Sequence, residues 1–182
     1  MKLTIRKSML SQTRSKSEKE LAELSVQVCA ELEKNKHFQD AKIVLCFWSL
    51  PDEVHTHDFI QKWSNEKTFL LPEVIGEKLV LHTFTDIESM KVGKFGIGEP
   101  TGDVFSDYSK IDLCIIPGLA FDKEGGRMGR GKGFYDRFLP QTNCYKIGIC
   151  FPWQIVPKID CAPWDIPMDE VLAASCKKLF SH

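Results

Sequence analysis

Two stretches of this chain are apolar without interruption: Ile43-Val44-Leu45-Cys46-Phe47-Trp48 and Leu113-Cys114-Ile115-Ile116-Pro117. A strand with one wet face alternates apolar and polar residues. A run that does not alternate must be covered on both faces. Both runs have strand length, so they require a sheet buried between two layers. Tyr145-Lys146-Ile147-Gly148-Ile149-Cys150 and Thr68-Phe69-Leu70-Leu71 supply further strands, and Leu79–Phe84 alternates more. A final strand is expected near Glu170-Val171-Leu172-Ala173.

Helical segments separate these runs. Residues 2–13 and 18–34 read as helices, the second opened by Ser17-Glu18-Lys19-Glu20 and striped by Leu21, Leu24, Val28 and Leu32. A helix from Thr56 to about Trp63, with Thr56 as N-cap, follows a turn at Pro51-Asp52. Residues 93–107 are glycine-rich and read mostly as loop, and four prolines between 152 and 167 make an extended connector. Strands alternating with helices predict an α/β fold: a three-layer αβα, Rossmann-like arrangement with a mostly parallel sheet flanked by helices. No repeat or composition break divides residues 1–182, so one domain is expected.

Composition narrows the functional classes. The net charge of −1 gives no global attraction to nucleic acid. No segment is apolar for long enough to span a bilayer, and Met1-Lys2-Leu3-Thr4-Ile5-Arg6 lacks a signal-peptide core, so a cytoplasmic chain without a membrane partner is expected. The seven cysteines are odd in number and contain no C-x-x-C, which argues against a disulfide framework or a zinc site.

The chemistry concentrates in Gly125-Gly126-Arg127-Met128-Gly129-Arg130-Gly131-Lys132-Gly133, followed by a short helix beginning Phe134-Tyr135-Asp136. Glycines let backbone N–H groups approach an anion, and the interleaved cations complement its charge. Gly126 to Lys132 matches G-x-x-x-x-G-K, but Gly133 stands where a Walker loop places Ser or Thr for Mg²⁺. Glycines at every second position also miss the dinucleotide spacing. The loop is therefore a phosphate cradle of another kind. Asp136 on the following turn suits a Mg²⁺ ion between carboxylate and phosphate, or a helix-dipole or Arg137 partner. The histidines of His55-Thr56-His57-Asp58 find no third ligand and give little support to a metal site.

Pro117-Gly118-Leu119-Ala120-Phe121-Asp122 followed by Arg127-Met128-Gly129-Arg130-Gly131-Lys132-Gly133-Phe134-Tyr135-Asp136 resembles the signature of the 5-formyltetrahydrofolate cyclo-ligase (methenyltetrahydrofolate synthetase) family. Lys2-x-x-x-Arg6, Pro51-Asp52-Glu53-Val54-x-Thr56 and Met168-Asp169-Glu170-Val171-Leu172 resemble its opening, early acidic and closing segments. The resemblance implies an ATP-dependent C–N ligase that cyclises 5-formyltetrahydrofolate to 5,10-methenyltetrahydrofolate. In that chemistry ATP phosphorylates the formyl oxygen, and ADP and phosphate leave. The substrate supplies the nucleophiles, so catalysis is positioning and charge neutralisation.

By the same resemblance, Lys2, Leu3, Thr4, Ile5 and Arg6 contact ATP, as do Arg127, Met128, Gly129, Arg130, Gly131, Lys132, Gly133, Phe134 and Tyr135. Trp48, Glu53 and the Arg130–Phe134 stretch line the folate. Arg130, Lys132 and Tyr135 are the catalytic candidates, and Asp136 and Asp169 the Mg²⁺ ligands. Phe134 replaces a tyrosine found in many members. The partners implied are ATP and a folate, acting on a monomer. The alternatives are a non-catalytic nucleotide- or RNA-binding protein on the same fold, or another α/β enzyme such as a sugar-phosphate isomerase or acyl-CoA transferase.

Overall fold

The computed structural model describes residues 2–93 and 98–174, with the Lys2 side chain outside that description. Helix α1 (Lys2–Arg14) and helix α2 (Glu18–Lys34) are followed by a short α3 (Lys36–Asp40) absent from the sequence reading. Strand β1 (Ile43–Leu45) leads through residues 46–56 to α4 (His57–Trp63). Then come β2 (Thr68–Ile75), β3 (Lys78–Thr83), β4 (Met90–Val92), β5 (Gly98–Pro100), β6 (Val104–Phe105) and β7 (Leu113–Ile116). Two short strands, β8 (Ala120–Phe121) and β9 (Arg127–Met128), flank the start of the glycine loop. Helix α5 (Phe134–Phe138), β10 (Tyr145–Cys150) and β11 (Glu170–Ala173) complete the chain.

The central sheet has seven strands in the order β11-β10-β7-β1-β2-β3-β6. Its first five members pair in parallel, whereas β2–β3 and β3–β6 are antiparallel. Consecutive residues feed opposite faces. Val44, Phe69, Leu113 and Ile115 join a cluster with Leu21, Val28 and Leu32 of α2, Phe38 of α3, and Phe59 and Ile60 of α4. Leu45, Leu70, Cys114 and Ile116 join a second cluster with Phe138 and Leu139 at the end of α5. Those clusters explain the non-alternating runs: both faces of β1 and β7 are covered. The three-layer expectation holds.

Local differences have identifiable causes. β1 stops at Leu45 because the Phe47 carbonyl turns to accept the Thr56 hydroxyl at 2.6 Å. The same bond removes Thr56 from capping duty: α4 begins after it without a side-chain cap. Ser17 does cap α2, accepting the Glu20 N–H at 3.1 Å. The glycine-rich 93–107 stretch carries β5 and β6, and its residues 94–97 lie outside the described part. Among the described residues, no helix is long and apolar enough to cross a membrane.

Candidate functional site

The strand order reverses at β1: β2 lies on one side and β7 on the other. In open α/β sheets the crevice beyond the carboxyl ends of such strands is where ligands bind. Residues 46–53 leave β1 there, and Pro117-Gly118 leaves β7 there. The sheet therefore presents the Trp48–Glu53 segment and the approach to the glycine loop at one crevice.

The glycine loop is anchored at its base and open at its tip. Asp122, 2% exposed, accepts N–H bonds from Glu124 at 2.9 Å, Gly126 at 2.8 Å and Ile159 at 2.8 Å. β8 and β9 then pair as a small hairpin. Beyond it, Gly131 has φ +98° and Gly133 has φ +67°. Both lie in the left-handed region that side chains avoid, so the alternating glycines permit the tip's path. From α1, the Arg6 Nε–H donates to the Gly129 carbonyl at 3.1 Å. Ile5 and Met9 pack with Ala120, Met128 and Ile159, which seats α1 against the hairpin. Leu3 and Thr4 are exposed, and the Lys2 side chain is outside the described residues.

Arg130 reaches from this tip to the acidic segment. Its Nη2 lies 2.5 Å from Asp52 Oδ1 and 3.2 Å from Glu53 Oε1. Glu53 Oε2 also accepts the Leu50 N–H at 3.0 Å. Burial pushes the Glu53 pKa above its ordinary value, against the opposing pull of the Leu50 N–H and of Arg130. On Arg130, burial opposes the charge, but the Asp52 hydrogen bond and both carboxylates outweigh it and raise the pKa. The two shifts thus pull in opposite directions across one pair. Arg130 is charged at any accessible pH, so Glu53 is the partner whose state can change.

Arg127 is 8% exposed and pairs with Asp136, Nη2 lying 3.0 Å from both carboxylate oxygens. Its Nη1 donates to the Pro117 carbonyl at 3.3 Å, and its Nε has no hydrogen-bond partner among the described residues. The Tyr135 ring lies 5.5 Å from the guanidinium. That ring is partly exposed, but enclosure of the hydroxyl, with the Glu53 charge second, raises its pKa above the ordinary 10. Tyr135 consequently stays protonated and can donate. Arg137, considered as an Asp136 partner, instead donates to the Glu77 carbonyl at 2.8 Å from Nη2. Lys132 is exposed.

Asp136 lies beside the loop, paired with Arg127. Asp169 sits at the other end of the strands: its Oδ2 accepts the Lys146 N–H at 2.7 Å and pairs with Lys146 Nζ at 2.7 Å. Among the described residues, no group of three or more His, Cys, Asp or Glu side chains is placed to hold a metal ion.

A cleft of about 1370 Å³ adjoins Asp52 and is walled by α2, residues 48–58 and α4. Trp48, Leu50, His57, Phe59 and Gly98 contribute to its lining. The Trp48 ring stacks on His57 with centroids 3.9 Å apart and planes 12° apart. Arg130 thus stands between the glycine loop and the wall of this cleft.

Residues 1–174 match the model of the 5-formyltetrahydrofolate cyclo-ligase family. The chain belongs to that family. A probable 5-formyltetrahydrofolate cyclo-ligase of Schizosaccharomyces pombe is 31% identical over 163 residues, covering 80% of this chain and 78% of that protein. The Escherichia coli K12 5-formyltetrahydrofolate cyclo-ligase is 34% identical over 145 residues, 74% of this chain and 79% of that one. An NMR structure of Aquifex aeolicus 5,10-methenyltetrahydrofolate synthetase superposes with a TM-score of 0.86 at 32% identity, covering 96% of this chain and 90% of that chain.

Of the family's quoted motifs, the early acidic segment and the glycine loop meet at the crevice, and Asp169 of the closing segment does not; two further residues take roles there that the sequence reading did not give them. Asp52 is the shortest-range partner of Arg130, and Asp122 anchors the loop. Both stand inside quoted motifs. Neither had a local signal for its role: Asp52 lies far from the loop in the chain, and the partners of Asp122 are backbone N–H groups that the sequence does not mark.

Proposed function

We propose that this member of the cyclo-ligase family converts 5-formyltetrahydrofolate to 5,10-methenyltetrahydrofolate at the expense of ATP, releasing ADP and phosphate. The observation that carries this reading is Arg130, which spans from the glycine loop to Glu53 and to Asp52 at the cleft wall. A reaction joining the γ-phosphate of ATP to a folate oxygen needs both ligands at one cation, and the loop and cleft meet there.

In this assignment the residues of the Arg127–Tyr135 stretch, with Lys2–Arg6 of α1, cradle the nucleotide. Trp48, Glu53 and Arg130–Phe134 hold the folate. The formyl oxygen attacks the γ-phosphorus, the bond to ADP breaks, and N10 then closes the ring as phosphate leaves. Arg130 and Lys132 offset the negative charge on the transferring group, and Tyr135 donates a hydrogen bond from its protonated hydroxyl.

Mg²⁺ is assigned to Asp136. Asp136 fits by charge and by its place beside the loop, since Mg²⁺ needs only one or two carboxylates when phosphates complete its shell, whereas Asp169, held by Lys146 at the other end of the strands, does not fit the same site. Asp136 is now neutralised by Arg127 and must exchange that partner. When bound, the ion neutralises phosphate charge. The chain is further assigned to the cytoplasm as a monomer acting on small molecules.

The test is spectrophotometric. Purified protein with Mg·ATP and 5-formyltetrahydrofolate should produce the methenyl-folate absorbance with matching ADP release. Nucleotide binding with no ADP formed in the presence of the folate would instead indicate a non-catalytic binding protein.

A further inference from the structure

We infer that His57 is a positioning residue that fixes the Trp48 indole as a wall of the folate cleft; this rests on the folate reading above. The segment carrying Trp48 is stitched to the start of α4 on both sides of the indole. Phe47 O accepts the Thr56 hydroxyl at 2.6 Å, and Ser49 N–H donates to the same hydroxyl oxygen at 3.2 Å. Thr56 N–H donates to Ser49 Oγ at 3.1 Å. The fourth bond joins His57 Nε2 and Ser49 O at 3.1 Å. A carbonyl only accepts, so Nε2 carries the hydrogen in this arrangement. Thr56 is fully buried, which protects the stitch from water.

This backbone clamp brings the two rings together. His57 lies flat on Trp48, and the donor bond to Ser49 sets the plane in which the imidazole lies. The indole edge is held as well. A Cβ at Gly98 would stand 2.8 Å from Trp48 Nε1, so only a glycine lets β5 approach so closely. Phe84 lies 5.8 Å from the indole at 29°. An aromatic wall favours a flat ligand only while its own plane is fixed, because ordering it on binding costs side-chain entropy. His57 removes that cost before the ligand arrives. Burial lowers the His57 pKa, although the Ser49 bond opposes this, so a neutral ring faces the indole near neutral pH.

The experiment compares His57→Ala, His57→Phe and His57→Gln in the full chain, with thermal melts to confirm folding. H57A should raise KM for 5-formyltetrahydrofolate about 3- to 10-fold, the size of one aromatic stacking contribution. KM for ATP should stay within about twofold. H57F, which keeps the stack, should recover most of the folate KM, and H57Q, which keeps only a donor, should not. An unchanged folate KM in H57A, equal rises in both KM values, or H57Q recovering as well as H57F would overturn the assignment.

Near-UV circular dichroism supplies a measurement that needs no turnover. H57A should lose an indole band that is already missing in Trp48→Phe, and an identical H57A spectrum refutes the stack. Wild-type protein that neither binds nor converts the folate would sink the folate reading, while the spectra still judge the His57–Trp48 stack.

Discussion

Replacing Asp136 with Ala should destabilise the fold as well as impair the reaction. Arg127 is almost wholly buried, with its side chain only 4% exposed, and Asp136 is its sole carboxylate partner among the described residues. After the substitution the guanidinium keeps, among the described residues, one neutral acceptor, the Pro117 carbonyl at 3.3 Å, and its Nε has no partner there. Removing one member of a buried ion pair costs about 3–5 kcal/mol, because the other charge stays desolvated and unpaired. The Asp136 side chain is 20% exposed, so water can reach the vacated position and the low end, about 3 kcal/mol, is expected. For a chain of this length that corresponds to a Tm lower by roughly 6–12 °C. The assay is a double-mutant cycle by calorimetry: D136A, Arg127→Met, and the two combined. Methionine fills the space without the charge, so the combined variant should regain much of the loss in D136A. D136A melting within about 2 °C of the parent, or single effects that simply add, would show that the pair does not hold the loop. A positive cycle also means that lost activity in D136A cannot by itself assign Asp136 to a metal.

Two further outcomes follow from the site. The folded-state pKa of Glu53 lies above its ordinary value of 4.5, so the native state binds this proton more tightly than the unfolded chain. Unfolding stability contributed by Glu53 should therefore fall as pH rises from about 4.5 through the folded-state value; the difference in ΔG between parent and Glu53→Gln, followed by urea melts across pH, should decrease over that window, and an increase would reverse the sign. Gly133→Ala places a Cβ on a residue with φ +67° and 2.9 Å from Arg137 Nη1. It should cost about 1–2 kcal/mol in backbone strain and raise KM for ATP, and an alanine variant with parental Tm and KM would remove the conformational argument.

The two uninterrupted apolar runs revealed the layered fold because double-sided burial leaves a mark on every residue of a strand. Phe69 and Leu70 show the same mark, facing opposite clusters. The antiparallel turn from β2 into β3 carries no such mark, since apolar content does not encode strand direction. The short α3 was missed because five residues contain too little periodicity to read.

At the site, residue types and local spacing were enough to pick out the glycine loop and its cations, because phosphate recognition demands those groups close together in the chain; the acidic Asp52-Glu53 segment was marked only by its resemblance to the family. Which cation meets which carboxylate was another matter. Arg130 finds Asp52 across 78 residues, and Arg6 finds Gly129 across 123. Asp136 takes Arg127 rather than the adjacent Arg137. Such pairings depend on the strand order that brings the ends of β1 and β7 to one crevice. A one-dimensional pattern records what each segment needs covered or neutralised, and only the packed sheet determines which distant group does it.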